Sequence, residues 1–142
     1  MYSPLLSMCR SRCAARAAAL VATCLLVAAF CLPAQGLAAD PEAGRRTFQS
    51  SCASCHAVAS ASNGFGPHLK GVLGRPAASL PDYAYSPAMA DAGEKGLVWD
   101  EPALSEFLSS PSSKVPGTKM RFFGFWTQSS IDDVIAYLRN NP

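Results

Sequence analysis

The sequence predicts an all-α fold of about four short helices joined by long loops. Three observations support this fold class. A capping residue stands directly before proline at two candidate helix starts, and apolar residues recur at helical spacing in others. Long segments rich in glycine and proline separate these candidates, and no stretch alternates long enough to form a sheet.

The two N-terminal helices are each predicted from a capping residue followed by a proline in the first turn. Asp40 caps a helix expected over 41–54, and Ser86 opens a shorter one over 87–93, where a glycine closes it. Both pairings satisfy free backbone N–H groups at the start of a helix.

Two more helices are predicted in the C-terminal half. Asp100 begins the third helix, which ends near Pro111, and Ser130 caps the fourth. Apolar residues at helical spacing define their buried faces: Leu104, Phe107 and Leu108 in the third, and Ile131, Val134, Ile135 and Leu138 in the fourth.

The loops between the helices, "NGFGPHLKGVLGRPAASLPDYAY" and "SSPSSKVPGTKMRFFGFW", cannot supply a core of their own. The predicted domain therefore needs an additional apolar group around which to fold.

Residues 1–39 are predicted to be a secretory signal peptide, cleaved near 38–39, which leaves a single domain over 40–142. The segment has three arginines and no acidic residue, followed by an apolar run over 17–32 and small residues before the cleavage site. The alternative is an uncleaved membrane anchor, although the run is shorter than the roughly 20 residues a spanning helix needs.

Removal of this leader changes what the remaining residues can do. Four of the six cysteines leave with it, so the domain keeps only Cys52 and Cys55, together with His56 and His68. Three of the twelve Lys and Arg also leave, so nine basic residues face ten acidic ones. The domain thus lacks the basic excess of a nucleic-acid-binding protein and has no disulfide framework.

The segment "SCASCHAVAS" carries the most specific chemistry in the chain. If it is helical, Cys52, Cys55 and His56 project from one face, since residues three and four apart are neighbours on a helix. Cys-x-x-Cys-His is the haem-attachment pattern: two thiols bond the macrocycle and the imidazole reaches the iron. One covalently bound haem c would supply the missing apolar core.

Three other interpretations of this segment are weaker. A dithiol redox pair belongs beside a strand–helix–strand unit, which the sequence lacks. A zinc site would lack its second ligand pair, and a disulfide between residues three apart in one helix would be strained.

The sixth iron ligand is expected to be Met120, with Met89 as the rival. Met120 follows "PGTK" in an irregular loop, whereas Met89 lies in a short predicted helix where a methionine usually fills the core. The second histidine, His68, is expected to be a surface-loop residue.

The chain resembles class I cytochromes c of the mitochondrial and bacterial soluble type over nearly all of residues 40–142, because several of its segments match that family in the same order along the chain. The matching segments are "GRRTFQSSCASCH", "GFGPHLKGVLGR", "YAYSPAM", "VPGTKM" and "DDVIAYL". The resemblance implies that helices and loops wrap around the haem, that Met120 binds iron, and that the Pro67 carbonyl orients His56. Gly44 and Phe48 match helix-packing positions.

The resemblance also implies roles for residues around the haem propionates. Tyr85 and Trp99 would hydrogen-bond these anionic groups, with Arg75 nearby; the alternatives are core packing for the two aromatic residues and a solvated surface charge for Arg75. Thr118 of the methionine loop would help to hold a water beside the haem.

The sequence departs from this family at two positions. Phe107 stands where the family usually has a tyrosine, and Met89 where it often has an asparagine. Since both polar groups are lost, we expect a drier and more apolar pocket beside the haem.

The expected function is that of a soluble periplasmic electron carrier with no catalytic residues. No Ser/His/Asp grouping, phosphate loop or carboxylate pair points to an enzyme. Its partners would be redox proteins that dock transiently with a monomer, without nucleic acid or a small-molecule substrate. The alternatives are a haem protein with a labile sixth ligand, of peroxidase-like or gas-binding type, and an electron-transfer subunit of a larger oxidoreductase.

Overall fold

A computed structural model describes residues 38–141, so nearly all of the predicted leader lies outside the described residues. Five helices follow one another along this part of the chain: α1 (Pro41–Ser51), α2 (Pro87–Glu94), α3 (Glu101–Ser109), α4 (Pro111–Lys114) and α5 (Gln128–Arg139). The described residues form no strand, only the isolated bridges His56–Asn63 and Pro76–Val98. The predicted all-α class is confirmed.

The predicted helix starts are correct for three helices and wrong for the last. Side chains of Asp40, Ser86 and Asp100 accept the expected backbone N–H bonds at the starts of α1, α2 and α3. The cap of α5 is Thr127, whose hydroxyl accepts from the backbone N–H of Ser130. Ser130 is therefore a first-turn residue and not the cap.

Helix α1 ends at Ser51, earlier than the predicted 54. Cys52 closes it by donating its N–H to the Phe48 carbonyl at 2.8 Å. The chain then continues as a turn, so Cys55 and His56 do not lie on the helix. Helix α4 was not predicted, because four residues after a proline give no helical period to recognise.

Helices α1 and α5 cross in close contact and form one end of the core. A side chain on Gly44 would overlap the backbone of Asp133, so the crossing requires a glycine at this position. Beside it, the Phe48 and Tyr137 rings lie 5.4 Å apart. The packing role expected for Gly44 and Phe48 agrees with these contacts.

The long loop between α1 and α2 is fixed to the segment that precedes α3. Trp99 donates its backbone N–H to the Arg75 carbonyl at 2.9 Å, and Ala77 donates to Leu97 at 2.8 Å. These bonds hold Arg75 and Trp99 in adjacent stretches of chain. No helix among the described residues has both the length and the apolar character needed to span a bilayer.

Candidate functional site

The Cys-x-x-Cys-His segment is a compact turn directly after α1. The N–H groups of Cys55 and His56 both donate to the Cys52 carbonyl, at 3.0 Å each. Cys52 is half-buried against the hydrophobic core, whereas Cys55 is exposed. The turn, and not a continuous helix face as the sequence suggested, gathers the two thiols and the imidazole.

The Cys52 thiol is poorly suited to start dithiol exchange. Burial raises the pKa of Cys52 to about 11, and the neighbouring Cys55 adds to the shift. Both cysteines are free of disulfides. Because the thiolate is the nucleophile in exchange, the raised pKa makes Cys52 a poor attacking thiol.

His56 is held in one orientation by the loop that follows it. Its Nδ1 lies 2.7 Å from the Pro67 carbonyl oxygen, which can only accept, so Nδ1 carries the proton. Burial lowers the pKa of His56, and the bond to Pro67 opposes part of that shift. The result is a neutral imidazole whose Nε2 lone pair is available to a metal.

Gly66 shapes the space around this imidazole. A Cβ on Gly66 would overlap the His56 ring, lying 2.6 Å from Nδ1. The Gly66 N–H donates to the Cys55 carbonyl at 2.9 Å, and Leu69 donates to Ala57 at 2.7 Å. Backbone hydrogen bonds on both sides of Pro67 therefore hold the loop against the Cys-x-x-Cys-His turn. Gly66 was not predicted as a site residue, although its place before Pro67 in "GFGPHLK" was a usable signal.

The methionine loop presents Met120 at the edge of the core. Thr118 donates its N–H to Val115 at 3.0 Å, and its hydroxyl accepts from the Met120 N–H at 3.3 Å. The left-handed φ of 90° at Gly117 makes this tight path possible. Met120 is half-buried against the core. Met89, in contrast, is buried within α2, as expected of a residue that fills the core.

Arg75 is not a solvated surface charge. Its Nη2 donates to the His68 carbonyl at 2.8 Å and its Nη1 to the Lys70 carbonyl at 3.0 Å. Burial lowers the pKa of Arg75 and raises that of Tyr85, and each residue's charge opposes the shift of the other. Arg75 and Tyr85 are therefore electrostatic neighbours.

Trp99 lies in the core, together with Phe107 and Met89, the two positions at which the sequence departs from the family. The Trp99 ring packs on Phe107 at 4.9 Å, and Phe107 and Met89 are both buried among apolar side chains. The drier pocket expected beside the haem stays a prediction. The packing of Trp99 leaves its expected propionate contact a proposal.

His68 contradicts the expectation of a surface-loop residue. Only 9% of it is exposed, and its Nδ1 is buried without a hydrogen-bond partner among the described residues. Its backbone N–H donates to the Asn63 side chain at 2.9 Å, and the Asn63 amide also donates to the Asp82 carbonyl at 3.3 Å. Long-range packing that no local pattern encodes accounts for this burial. Asn63, which links two loops, was also missed.

The donor set fits a haem better than a bare metal ion. One neutral imidazole, one half-buried thioether and two adjacent thiols border a core of apolar side chains. Iron porphyrin accepts imidazole and thioether as axial ligands, and thiols of this spacing attach its macrocycle.

Comparison with known proteins agrees with this geometry. The family described as cytochrome c matches residues 41–142. The chain belongs to the cytochrome c family. Cytochrome c2 of Agrobacterium tumefaciens is 45% identical over 100 residues, which cover 70% of this chain and 89% of that protein. Cytochrome c2 of Rhodoblastus acidophilus is 43% identical over 102 residues, covering 71% and 92%.

A solved structure extends this agreement to the cytochrome c fold. Cytochrome cH from Methylobacterium extorquens is 42% identical, with a TM-score of 0.64 over 71% of this chain and 98% of that one. The expected family, fold and cofactor are confirmed: this cytochrome c carries haem c, and Cys52 and Cys55 stand in its attachment motif.

Proposed function

We propose that this chain is a one-electron carrier in which both axial positions of the haem iron are filled, by His56 and Met120. The orientation of His56 carries the proposal, because its Nδ1–H is committed to Pro67 and its Nε2 is left to bind iron. Cys52 and Cys55 would form the thioether bonds. When bound, haem c supplies an iron that alternates between Fe(II) and Fe(III).

The surrounding residues would fix the cofactor and its charge. Arg75 is anchored by two backbone carbonyls and keeps three further N–H donors, which suits it to a propionate. The Tyr85 hydroxyl would be a second donor to that anion, and the Trp99 indole N–H a third. Thr118 would steady Met120 through its hydrogen bond to the backbone of that residue.

The chain would perform no chemistry on a substrate. With two protein ligands on iron, no coordination position remains for oxygen or peroxide. A rigidly held ligand pair also limits the structural change that accompanies gain or loss of an electron. The residues therefore serve to hold the cofactor and not to act as acids, bases or nucleophiles.

We place the carrier in the periplasm, with residues 1–39 as a removable leader. The basic start and apolar run of this segment support export, and retention as a membrane anchor is the alternative. Sequencing the N-terminus of the purified protein tests the proposal. A mature start near residue 39 or 40 is expected, whereas a chain that begins at Met1 would indicate an anchor.

Its partners would be redox proteins that dock briefly with a monomer. The lysines that remain after the leader are few, and two of them are already paired: Lys95 with Asp91 and Lys114 with Glu106. The positive field available for steering is therefore weak. Membrane-bound or soluble reductases and oxidases both fit this description.

Ligand challenge separates this carrier from a haem protein with a labile sixth ligand. Visible spectra of the purified protein, oxidised and reduced, are recorded with and without cyanide and carbon monoxide. We expect no rapid change on addition of either ligand. Fast binding by the resting protein would overturn the proposal.

Two methionine variants identify the sixth ligand. Met120→Ala should bind carbon monoxide readily, because it opens one coordination position. Met89→Ala, the matched control, should lose stability by about 2–5 kcal/mol without gaining ligand binding. The opposite pattern would make Met89 the ligand.

A further inference from the structure

The segment after Met120 exposes two large aromatic side chains. Phe123 and Trp126 are each 99% exposed, and they are called here the aromatic patch. The neighbouring Phe122 and Phe125 are half-buried, with ring centroids 4.9 Å apart, and Phe125 packs against the core. Four aromatic residues within five positions thus divide into an inner pair and an outer pair.

The patch is presented from a fixed backbone and not from a loose loop. Phe125 donates its N–H to the Leu108 carbonyl at 2.9 Å. Gly124 has a φ of 110° and approaches the Ser109 backbone so closely that no side chain would fit. Thr127 then caps α5. The exposure of both rings therefore follows from anchored geometry, which lowers the entropy lost on binding.

The charged residues nearest to the patch along the chain are positive. Residues 119–126 contain Lys119 and Arg121 and no acidic residue, whereas Lys114 is already paired with Glu106. Lys119 donates to the neutral Ala84 carbonyl, so its charge is not compensated there. Arg121 is exposed and forms no ion pair within residues 38–141. A complementary surface would be apolar at its centre and acidic at its rim.

A second copy of this chain does not meet that requirement. It would bring the same cations against Lys119 and Arg121, and like charges facing each other disfavour the contact. Two aromatic side chains also bury only about 300–500 Å², well below the roughly 800 Å² per partner of a standard interface. The patch suits a brief contact with a different, acidic protein.

We propose that Phe123 and Trp126 are the anchors by which this carrier docks on an acidic-rimmed apolar face of its redox partner. The inference rests on the proposed electron-carrier function. The patch begins three residues after Met120, so a partner seated there would lie beside the methionine loop. Aromatic anchors, instead of a ring of lysines, would supply most of the affinity.

The test uses the haem-loaded protein and, as probe, a soluble blue-copper protein whose apolar copper edge is surrounded by acidic residues. One electron passes from the reduced carrier to Cu(II), which becomes Cu(I), and stopped-flow absorbance gives the second-order rate constant. Phe123→Ser/Trp126→Ser should lower this constant at least about tenfold at every ionic strength. Phe65→Ser is the matched control, since Phe65 is 90% exposed outside the segment, and should stay within twofold.

Amide chemical shifts of the carrier give a second readout that does not depend on electron transfer. Addition of the redox-inactive, zinc-substituted probe should shift resonances of residues 119–127 in the wild type and not in the double variant. A double variant with an unchanged rate constant, or shifts confined to other segments, would overturn the proposal. Equal losses in the Phe65 control would also overturn it.

The other occupants of the patch are outcomes of the same experiment. Two results together would assign the patch to a membrane. The wild type, and not the double variant, would sediment with vesicles of phosphatidylcholine and phosphatidylglycerol (4:1), and its amide resonances would fail to shift on addition of the probe. Patch-dependent dimers in analytical ultracentrifugation would assign it to a second copy. Either result overturns the proposal. Rapid carbon monoxide binding would instead refute the carrier function, and the shift experiment would still decide where the probe docks.

Discussion

Replacing Gly66 by alanine would put a methyl carbon into the space of the His56 imidazole. The added Cβ would lie 2.6 Å from Nδ1 and 2.8 Å from Nε2, whereas atoms in contact need more than 3 Å. The opposite side of the loop is fixed by the Gly66 bond to Cys55, so the imidazole has to move. The 2.7 Å bond to the Pro67 carbonyl would then lengthen or break.

The magnitude has two parts. Overpacking of this kind costs about 1–3 kcal/mol of unfolding free energy. Loss of the hydrogen bond makes the imidazole a weaker donor to iron, which destabilises Fe(III) relative to Fe(II) and raises the reduction potential. A net hydrogen-bond contribution of about 0.5–1.5 kcal/mol corresponds to a rise of about 20–60 mV for one electron.

Denaturant unfolding and a potentiometric titration of the haem-loaded protein measure the two effects. Gly44→Ala is the matched control, because its Cβ would meet the Asp133 backbone at the α1–α5 crossing, away from the imidazole. We expect Gly44→Ala to lower stability and leave the potential unchanged. A Gly66→Ala protein with the reduction potential of the wild type would show that the His56–Pro67 hydrogen bond does not tune the iron.

Three further predictions concern the loops, the pH dependence and the partner. Asn63→Ala should lower the unfolding free energy by about 1–3 kcal/mol, because the His68 N–H and the Asp82 carbonyl lose their partner. Asn63→Asp keeps the oxygen that accepts from His68 and should lose less stability. If urea unfolding shows the same loss in both variants, the bond to His68 is not what stabilises the loop. Burial raises the pKa of Tyr85 above 10, so its contribution to stability is complete below pH 10 and is lost as pH rises through the raised pKa. Above pH 10, the urea midpoint of the wild type should therefore fall more steeply with pH than that of Tyr85→Phe. Identical pH profiles of the two proteins would exclude a contribution of Tyr85 to this pH dependence. Electron-transfer rates with protein partners should fall less than about tenfold between low and physiological ionic strength, and a steeper collapse in stopped-flow measurements would indicate strong steering.

Features set by local chemistry were predictable from the sequence. Asp40, Ser86 and Asp100 cap their helices through side chains that bond N–H groups two or three positions away. At α5 the local signals compete, since Thr127 and Ser130 both suit a cap and only the backbone geometry distinguishes them. The end of α1 carries no glycine or proline, so its stop at Ser51 was not visible.

Features that depend on distant segments were not predictable in the same way. The burial of His68 follows from loops that Asn63 and Arg75 tie together across several residues of chain. The close fit of Gly66 against His56 likewise joins positions ten apart. The contact between His56 and Pro67 was expected, but only from the family resemblance and not from spacing alone.

Mass spectrometry of the purified mature protein under denaturing conditions shows whether one haem is covalently attached through Cys52 and Cys55. We predict the mass of the polypeptide plus one haem, retained after extraction with acidified acetone. Alanine at both cysteines should abolish this retention. A folded, colourless protein with the mass of the bare polypeptide would show that this chain does not bind haem through these cysteines.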